Sequence, residues 1–109
     1  IYSFRSTVEL MSYYVYMLKS IEKKSVTYVG YSNNLSNRIK LHNSGKGAKF
    51  TRGRKWRLIY KEKLTSKNKA ISREYYIKKN RTLRNKIKNT YKWILSWIRV
   101  QIKISPHFS

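Results

Sequence analysis

The sequence predicts an α+β fold whose elements run β-β-α-β-α. Three observations carry this: three short runs rich in aromatic and β-branched residues, a polar break between the first two that suits a hairpin, and two segments with helix start signals. Residues 13–19 (YYVYMLK) read as the first strand. Residues 20–25 (SIEKKS) are a polar turn, and 26–31 (VTYVGY) a second strand that pairs with the first as a hairpin. Gly30 inside that strand predicts a close backbone approach or a bulge. Residues 33–43 (NNLSNRIKLHN) read as a helix, with Asn33 or Ser32 as its cap and Gly45 as its stop. Residues 45–55 (GKGAKFTRGRK) form a basic, glycine-containing loop, and 56–62 (WRLIYKE) a third strand. Ser66 caps a second helix that runs to about Asn80. The basic segment 81–92 reads as a further helix. Residues 93–104 (WILSWIRVQIKI) are apolar with scattered cations, a packing helix or strand, with a membrane-surface segment as the other reading.

At 109 residues the chain has room for one domain with one modest core. Met11 opens the patterned region, so residues 1–10 are expected to be an N-terminal extension, and 89–109 a C-terminal tail, around a domain at 11–88. The extension lacks the continuous apolar stretch of a signal peptide, and no apolar run reaches the ~18 residues of a membrane span. A cytoplasmic location is expected, nucleoid-associated in a bacterium. With no cysteine there is no disulfide framework, thiolate metal site or Cys nucleophile. Lys and Arg number 26 against four glutamates and no aspartate, a net charge of +22. A field this positive favours polyanions, nucleic acid first and anionic membrane second. Part of the charge fits a compositional bias, because Lys, Ile, Asn and Tyr supply 46 residues, as an AT-rich genome would encode. That bias does not remove Asp.

Few residues are left to carry chemistry. Glu74 falls in a helical stripe with Ala70, Ile71 and Ile77. A carboxylate facing a core is costly unless it is paired or holds a metal. An ion pair with Lys78 at i+4 is the structural reading, and a Mg²⁺ site, with waters and phosphate as the other ligands, the functional one. Arg38 and His42 share a helix face that borders the apolar residues Leu35 and Ile39. They suit phosphate binding and proton transfer, or else form a solvated basic face. Tyr16 and Tyr28 lie on the two hairpin strands, where ten tyrosines in the chain make a packing role the default. A free phenol, with a pKa near ~10, needs neighbouring cations before it can serve as a base, and Arg38 is one candidate. The loop contributes Lys46, Lys49, Arg52, Arg54 and Lys55 with Phe50 and Trp56 interleaved, suited to nucleic acid or to a floppy, solvated loop. Gly45 and Gly47 do not make a P-loop, and the G-x-S-x-G and H-E-x-x-H patterns are absent.

In this order the residues resemble the GIY-YIG nuclease family, in particular its small, single-domain YhbQ/YazA-like branch. The first signature stands as Tyr14-Val15-Tyr16, with Tyr in place of the usual Gly, and the second as Tyr28-Val29-Gly30. Arg38 and His42 follow on the expected helix, then the stretch from Asn43 to Gly53, then Arg73-Glu74-Tyr75. The resemblance spans roughly residues 11–88. It implies a three-stranded antiparallel sheet flanked by helices, and metal-dependent hydrolysis of phosphodiester bonds in DNA, with RNA also open. Carried over, Glu74 holds one Mg²⁺ or Mn²⁺, Arg38 offsets charge on the phosphate, and Tyr28 is the base. Tyr16 orients water or phosphate, and His42 assists by hydrogen bonding or proton transfer. Tyr14 lies in the strand and is expected to spare the chemistry. One metal fits the shortage of acids. Target choice is expected to follow DNA structure, single strands or a protein partner rather than sequence, and DNA repair is the process suggested. A non-catalytic basic nucleic-acid-binding module is the alternative. A membrane partner is not expected, and the oligomeric state is open.

Overall fold

Aromatic and β-branched residues favour extended, half-buried backbone, and three such segments form the sheet. The computed structural model describes residues 12–22 and 24–104, so the expected extension at 1–10 lies outside the described residues. The strands are β1 (Tyr13–Ser20), β2 (Thr27–Ser32) and β3 (Trp56–Leu64). Both pairings are antiparallel, in the order β2-β1-β3, so β1 is central. Helix α1 (Leu35–Asn43) follows β2, and α2 (Lys67–Lys79) and α3 (Arg81–Ile104) follow β3. The predicted α+β order is therefore present, with α3 added.

Side chains alternate across a strand, so β1 feeds two cores. Val15 and Met17 pack with Val29, Ala70, Ile77 and Ile87 on the face covered by α2 and α3. Tyr16 and Leu18 pack with Trp56 on the other face, beside Leu35 and Ile39 of α1. Because β2 is an edge strand, side chains from both faces reach its rim. A cleft lined by Tyr16, Tyr28, Gly30, Arg38 and Glu74 lies there.

Several local expectations shift. The cap of α1 is Asn34, whose side chain accepts from Asn37 N–H at 3.2 Å, rather than Ser32 or Asn33. Ser32 instead accepts from Asn34 N–H at 3.0 Å and turns the chain into the helix. Gly30 marks a close approach: a Cβ there would lie 2.6 Å from the Tyr16 hydroxyl oxygen. The irregularity is elsewhere, between Met17 and Leu18, where β3 carries Ile59 as an extra residue. Ser66 caps α2 as expected, accepting from Lys69 N–H at 3.2 Å. Ile71 is 41% exposed, so the buried line of α2 is Ala70 and Ile77 without it. The segments 81–92 and 93–104 are one continuous helix, which crosses residue 88 without a break. Asn80 caps α3, its side chain accepting from Leu83 N–H at 2.9 Å. Leu83 and Ile87 pack on the core, whereas most of the apolar face beyond Lys92 is exposed.

Candidate active site

Two strands and two helices converge on one cleft. Tyr16 comes from β1, Tyr28 and Gly30 from β2, Arg38 from α1, and Lys67 and Glu74 from α2. Tyr16 and Tyr28 reach the same side because their pairs, Tyr16 with Gly30 and Tyr28 with Leu18, stand two residues apart in the register, which keeps both side chains on one face. Their rings lie 6.4 Å apart at 41°. Gly30 leaves the space that the Tyr16 ring fills.

His42 is not in the cleft wall. It is fully buried behind Tyr16, which rules out the solvated basic face that the sequence left open for it. Its Nε2 is 2.7 Å from the Tyr16 hydroxyl, and its Nδ1 is 2.9 Å from Thr51 Oγ1. Thr51 donates its one hydroxyl proton to Ala48 C=O at 3.0 Å, and its oxygen accepts from Ala48 N–H at 3.2 Å. Thr51 therefore accepts from His42 Nδ1–H. That leaves the Nε2 lone pair to accept from Tyr16 O–H. Burial, followed by the nearby Arg38 charge, holds the His42 pKa below its usual value, so the ring is neutral. Gly47 passes so close that any Cβ there would collide with the His42 ring.

Burial also pushes the Tyr16 hydroxyl up to about 12, although hydrogen bonding to Arg38 opposes the rise. Tyr16 is therefore a proton donor at neutral pH and a poor base. Tyr28 stacks between the two halves of the site, 4.9 Å from the His42 ring and 6.3 Å from Phe50 at 20°. Arg38 is the electrostatic centre. Its Nε is buried without a hydrogen-bond partner among the described residues. A buried unsatisfied guanidinium N–H costs stability, and an incoming anion relieves that cost.

Glu74 makes the expected ion pair and also borders the cleft. Its Oε1 pairs with Lys78 Nζ at 3.0 Å, yet its side chain is largely covered and lines the cleft. It is the one carboxylate among the cleft residues. No group of three or more His, Cys, Asp or Glu side chains able to hold a metal occurs among the described residues. A lone carboxylate with an open oxygen fits a Mg²⁺-like ion that keeps its waters and takes phosphate oxygens as further ligands. It does not fit a closed protein cage.

The loop cations stand apart from this cleft. Lys46, Lys49, Arg52 and Lys55 are exposed, and none of the five expected nucleic-acid contacts lines the cleft. The loop is nonetheless built rather than floppy. Lys46 N–H donates to Leu41 C=O at 2.8 Å, and Lys55 Nζ to Asn43 C=O at 3.3 Å. Asn43 ties the loop to β3, accepting from Trp56 N–H at 2.6 Å. Arg54 lies 5.5 Å over the Phe50 ring and 3.9 Å from Glu22. Phe50 in turn stacks on Tyr28, which connects the basic loop to the cleft rim. Tyr14 is not among the cleft residues and lies under Lys61 Nζ at 5.9 Å.

Two contributors escape a reading of the sequence. Thr51 has only its place at the end of a short turn to mark it. Lys67 stands seven residues before Glu74, a spacing that places both on one helix face, so its signal was available.

The GIY-YIG catalytic domain model matches residues 12–88. A UPF0213 protein of Clostridium perfringens is 55% identical over 67 residues, 61% of this chain and 70% of that protein. The UPF0213 protein YazA of Bacillus subtilis is 41% identical over 73 residues, 66% of this chain and 72% of its own length. The solution structure of a UPF0213 protein from Bacillus halodurans is 39% identical, covers 73% of this chain and 85% of its own, and has a TM-score of 0.45. With a family match that runs from the residue before β1 into α3, the chain belongs to the GIY-YIG family of catalytic domains.

Proposed function

We propose that this protein is a metal-dependent endonuclease that hydrolyses phosphodiester bonds in DNA. The observation that carries the reading is the composition of one cleft: an arginine with a free buried N–H, two tyrosines and a single carboxylate with one oxygen paired to Lys78. These groups match the needs of phosphodiester hydrolysis, which are charge stabilisation on the phosphate, a proton acceptor for water and a metal anchor.

Arg38 grips a non-bridging phosphate oxygen through Nε and offsets the charge that builds as water adds to phosphorus. Glu74 is the residue that would hold Mg²⁺ or Mn²⁺, and a bound ion supplies charge neutralisation at the phosphate. Tyr28, beside the Arg38 charge, is the residue that takes the proton of the attacking water. Tyr16 keeps its proton on the hydrogen bond to His42 Nε2, so its oxygen orients the attacking water by accepting from it. His42 acts through Tyr16 as a positioning residue, because its Nε2 is already engaged. Lys67 adds a second cation to the phosphate side of the cleft. The exposed cations Lys46, Lys49, Arg52 and Lys55, with Arg54, guide the strand, and contacts of this kind read backbone rather than base. Selection by DNA structure or by single strands follows from that, with DNA repair as the process served.

The test is cleavage of a labelled panel of single strand, duplex, flap and four-way junction, in Mg²⁺ or Mn²⁺ against EDTA. Wild type and Glu74→Ala are run side by side. Metal-dependent products that vanish in the variant establish the nuclease and rank its substrates. Tight, salt-sensitive binding with no cutting by either protein identifies a non-catalytic nucleic-acid-binding module instead.

A further inference from the structure

The last turns of α3 leave an apolar surface uncovered. Trp93, Ile94, Trp97, Ile98, Val100 and Ile102 are between 42% and 70% exposed. At ~100° per residue they fall within one arc of roughly 200°, while Lys88, Lys92 and Arg99 occupy the opposite side. Nearer the domain, Tyr91 and Leu95 sit beside Ile59 and Arg57 of β3, so the helix is rooted on the sheet before its apolar face opens to water. The segment Arg81–Ile104 contains seven cations and no acid.

We infer that this helix face docks on an anionic phospholipid surface, lying in the plane of the headgroups. Charge decides among the possible occupants. A second copy would cover the apolar arc but would bring together two helices with seven cations each, on chains of net charge +22. A nucleic acid would engage the cationic side and leave the tryptophans in water. A bilayer rich in anionic lipid satisfies both sides at once, with apolar side chains at the acyl boundary, Trp rings at headgroup level, and Lys and Arg reaching back to phosphate. No helix among the described residues is long and apolar enough to cross a membrane, so the segment lies on the surface. The sequence argued against a membrane partner because the tail read as a packing element. The structure leaves that packing unmade.

The test uses the full chain with vesicles of phosphatidylcholine alone, or of phosphatidylcholine mixed with phosphatidylglycerol. The wild type is expected to sediment with the mixed vesicles and not with the neutral ones. Its tryptophan emission should shift to the blue. Trp56 is already buried, so that shift reports Trp93 and Trp97. The doubly substituted variant Trp97→Ser, Ile98→Ser alters exposed positions only, and a thermal melt confirms its fold. It should lose at least tenfold in vesicle affinity while its affinity for DNA is unchanged. No sedimentation of the wild type overturns the inference, as does undiminished sedimentation of the variant, which would mean that charge alone binds. A doubled mass in light scattering without lipid, lost in the variant, assigns the face to a second copy and overturns it. A parallel tenfold loss of DNA affinity assigns the face to nucleic acid and also overturns it.

Discussion

Two clusters built from the same residue types diverge at adjacent positions of α2. Arg73 points to a cluster on β3, in which Tyr60 O–H donates to Glu62 Oε2 at 2.6 Å and Arg73 Nε donates to the same oxygen at 3.0 Å. Glu74 points to the cleft, where Tyr16, Tyr28 and Arg38 stand near a carboxylate that none of them pairs with directly. In the first cluster the arginine, tyrosine and carboxylate satisfy one another. Burial, and then the hydrogen bond to Glu62, push the Tyr60 hydroxyl up. In the second, Arg38 keeps a buried N–H without a partner among the described residues. Residue type therefore does not tell the two clusters apart. Open hydrogen-bonding valence does, because buried polar groups in folded proteins are almost always satisfied unless something else is meant to satisfy them.

The sharpest way to break this comparison is to remove the carboxylate from each cluster. Glu74→Ala and Arg38→Ala should each lower the cleavage rate by about 10²–10³ or more, on the scale of losing one preorganised charge contact. Glu62→Gln should leave the rate near wild type and instead lower stability by roughly 1–3 kcal/mol, measured by urea unfolding, because Tyr60 and Arg73 lose a charged acceptor. Equal rate losses at Glu62 and Glu74 would erase the distinction.

Thr51 offers the next largest effect. Thr51→Val removes the acceptor for His42 Nδ1–H and frees the ring to change tautomer or turn. A loss on the order of 10² in rate is expected from misplacing Tyr16, with Thr51→Ser restoring most of it. Nitrogen NMR of the His42 ring reads the tautomer directly. An unchanged Nδ1–H signal in Thr51→Val would show that Thr51 does not set it.

A smaller effect is set by pH. The folded-state pKa of His42 is depressed below the unfolded value of ~6.5, so the unfolded chain binds the extra proton first. Its contribution to stability is complete above that pH and is lost as pH falls through 6.5 towards the depressed value. The melting temperature of wild type should fall across this window, and His42→Gln should show a flatter profile. Identical slopes for the two proteins would refute a neutral, buried His42. The smallest effect belongs to Lys78→Ala, which removes an i,i+4 pair worth about 0.2–0.5 kcal/mol on a half-exposed side chain. A thermal shift larger than a few degrees would mean that this pair holds the cleft together.

The sequence by itself determined the element order, and it named Tyr16, Tyr28, Arg38 and Glu74 of the cleft residues while placing His42 with them and passing over Lys67. Aromatic and β-branched content in 13–19 and 26–31 marks strands, Ser66 marks a helix start, and the resemblance to a known motif picks out the residues from Tyr16 through Glu74. These signals are local or follow the order of a known motif, so they survive without knowledge of the fold. Only the tertiary structure decided which faces are covered. The spacing of Arg38 and His42 shows that they share a side of α1, yet one lines a cleft and the other is sealed beneath Thr51 and Gly47 by a loop that returns to β3. The spacing of Trp93, Trp97 and Ile98 shows an apolar stripe but not that the sheet ends before reaching it. Burial depends on contacts between segments far apart in the chain, and periodicity within one segment carries no information about them.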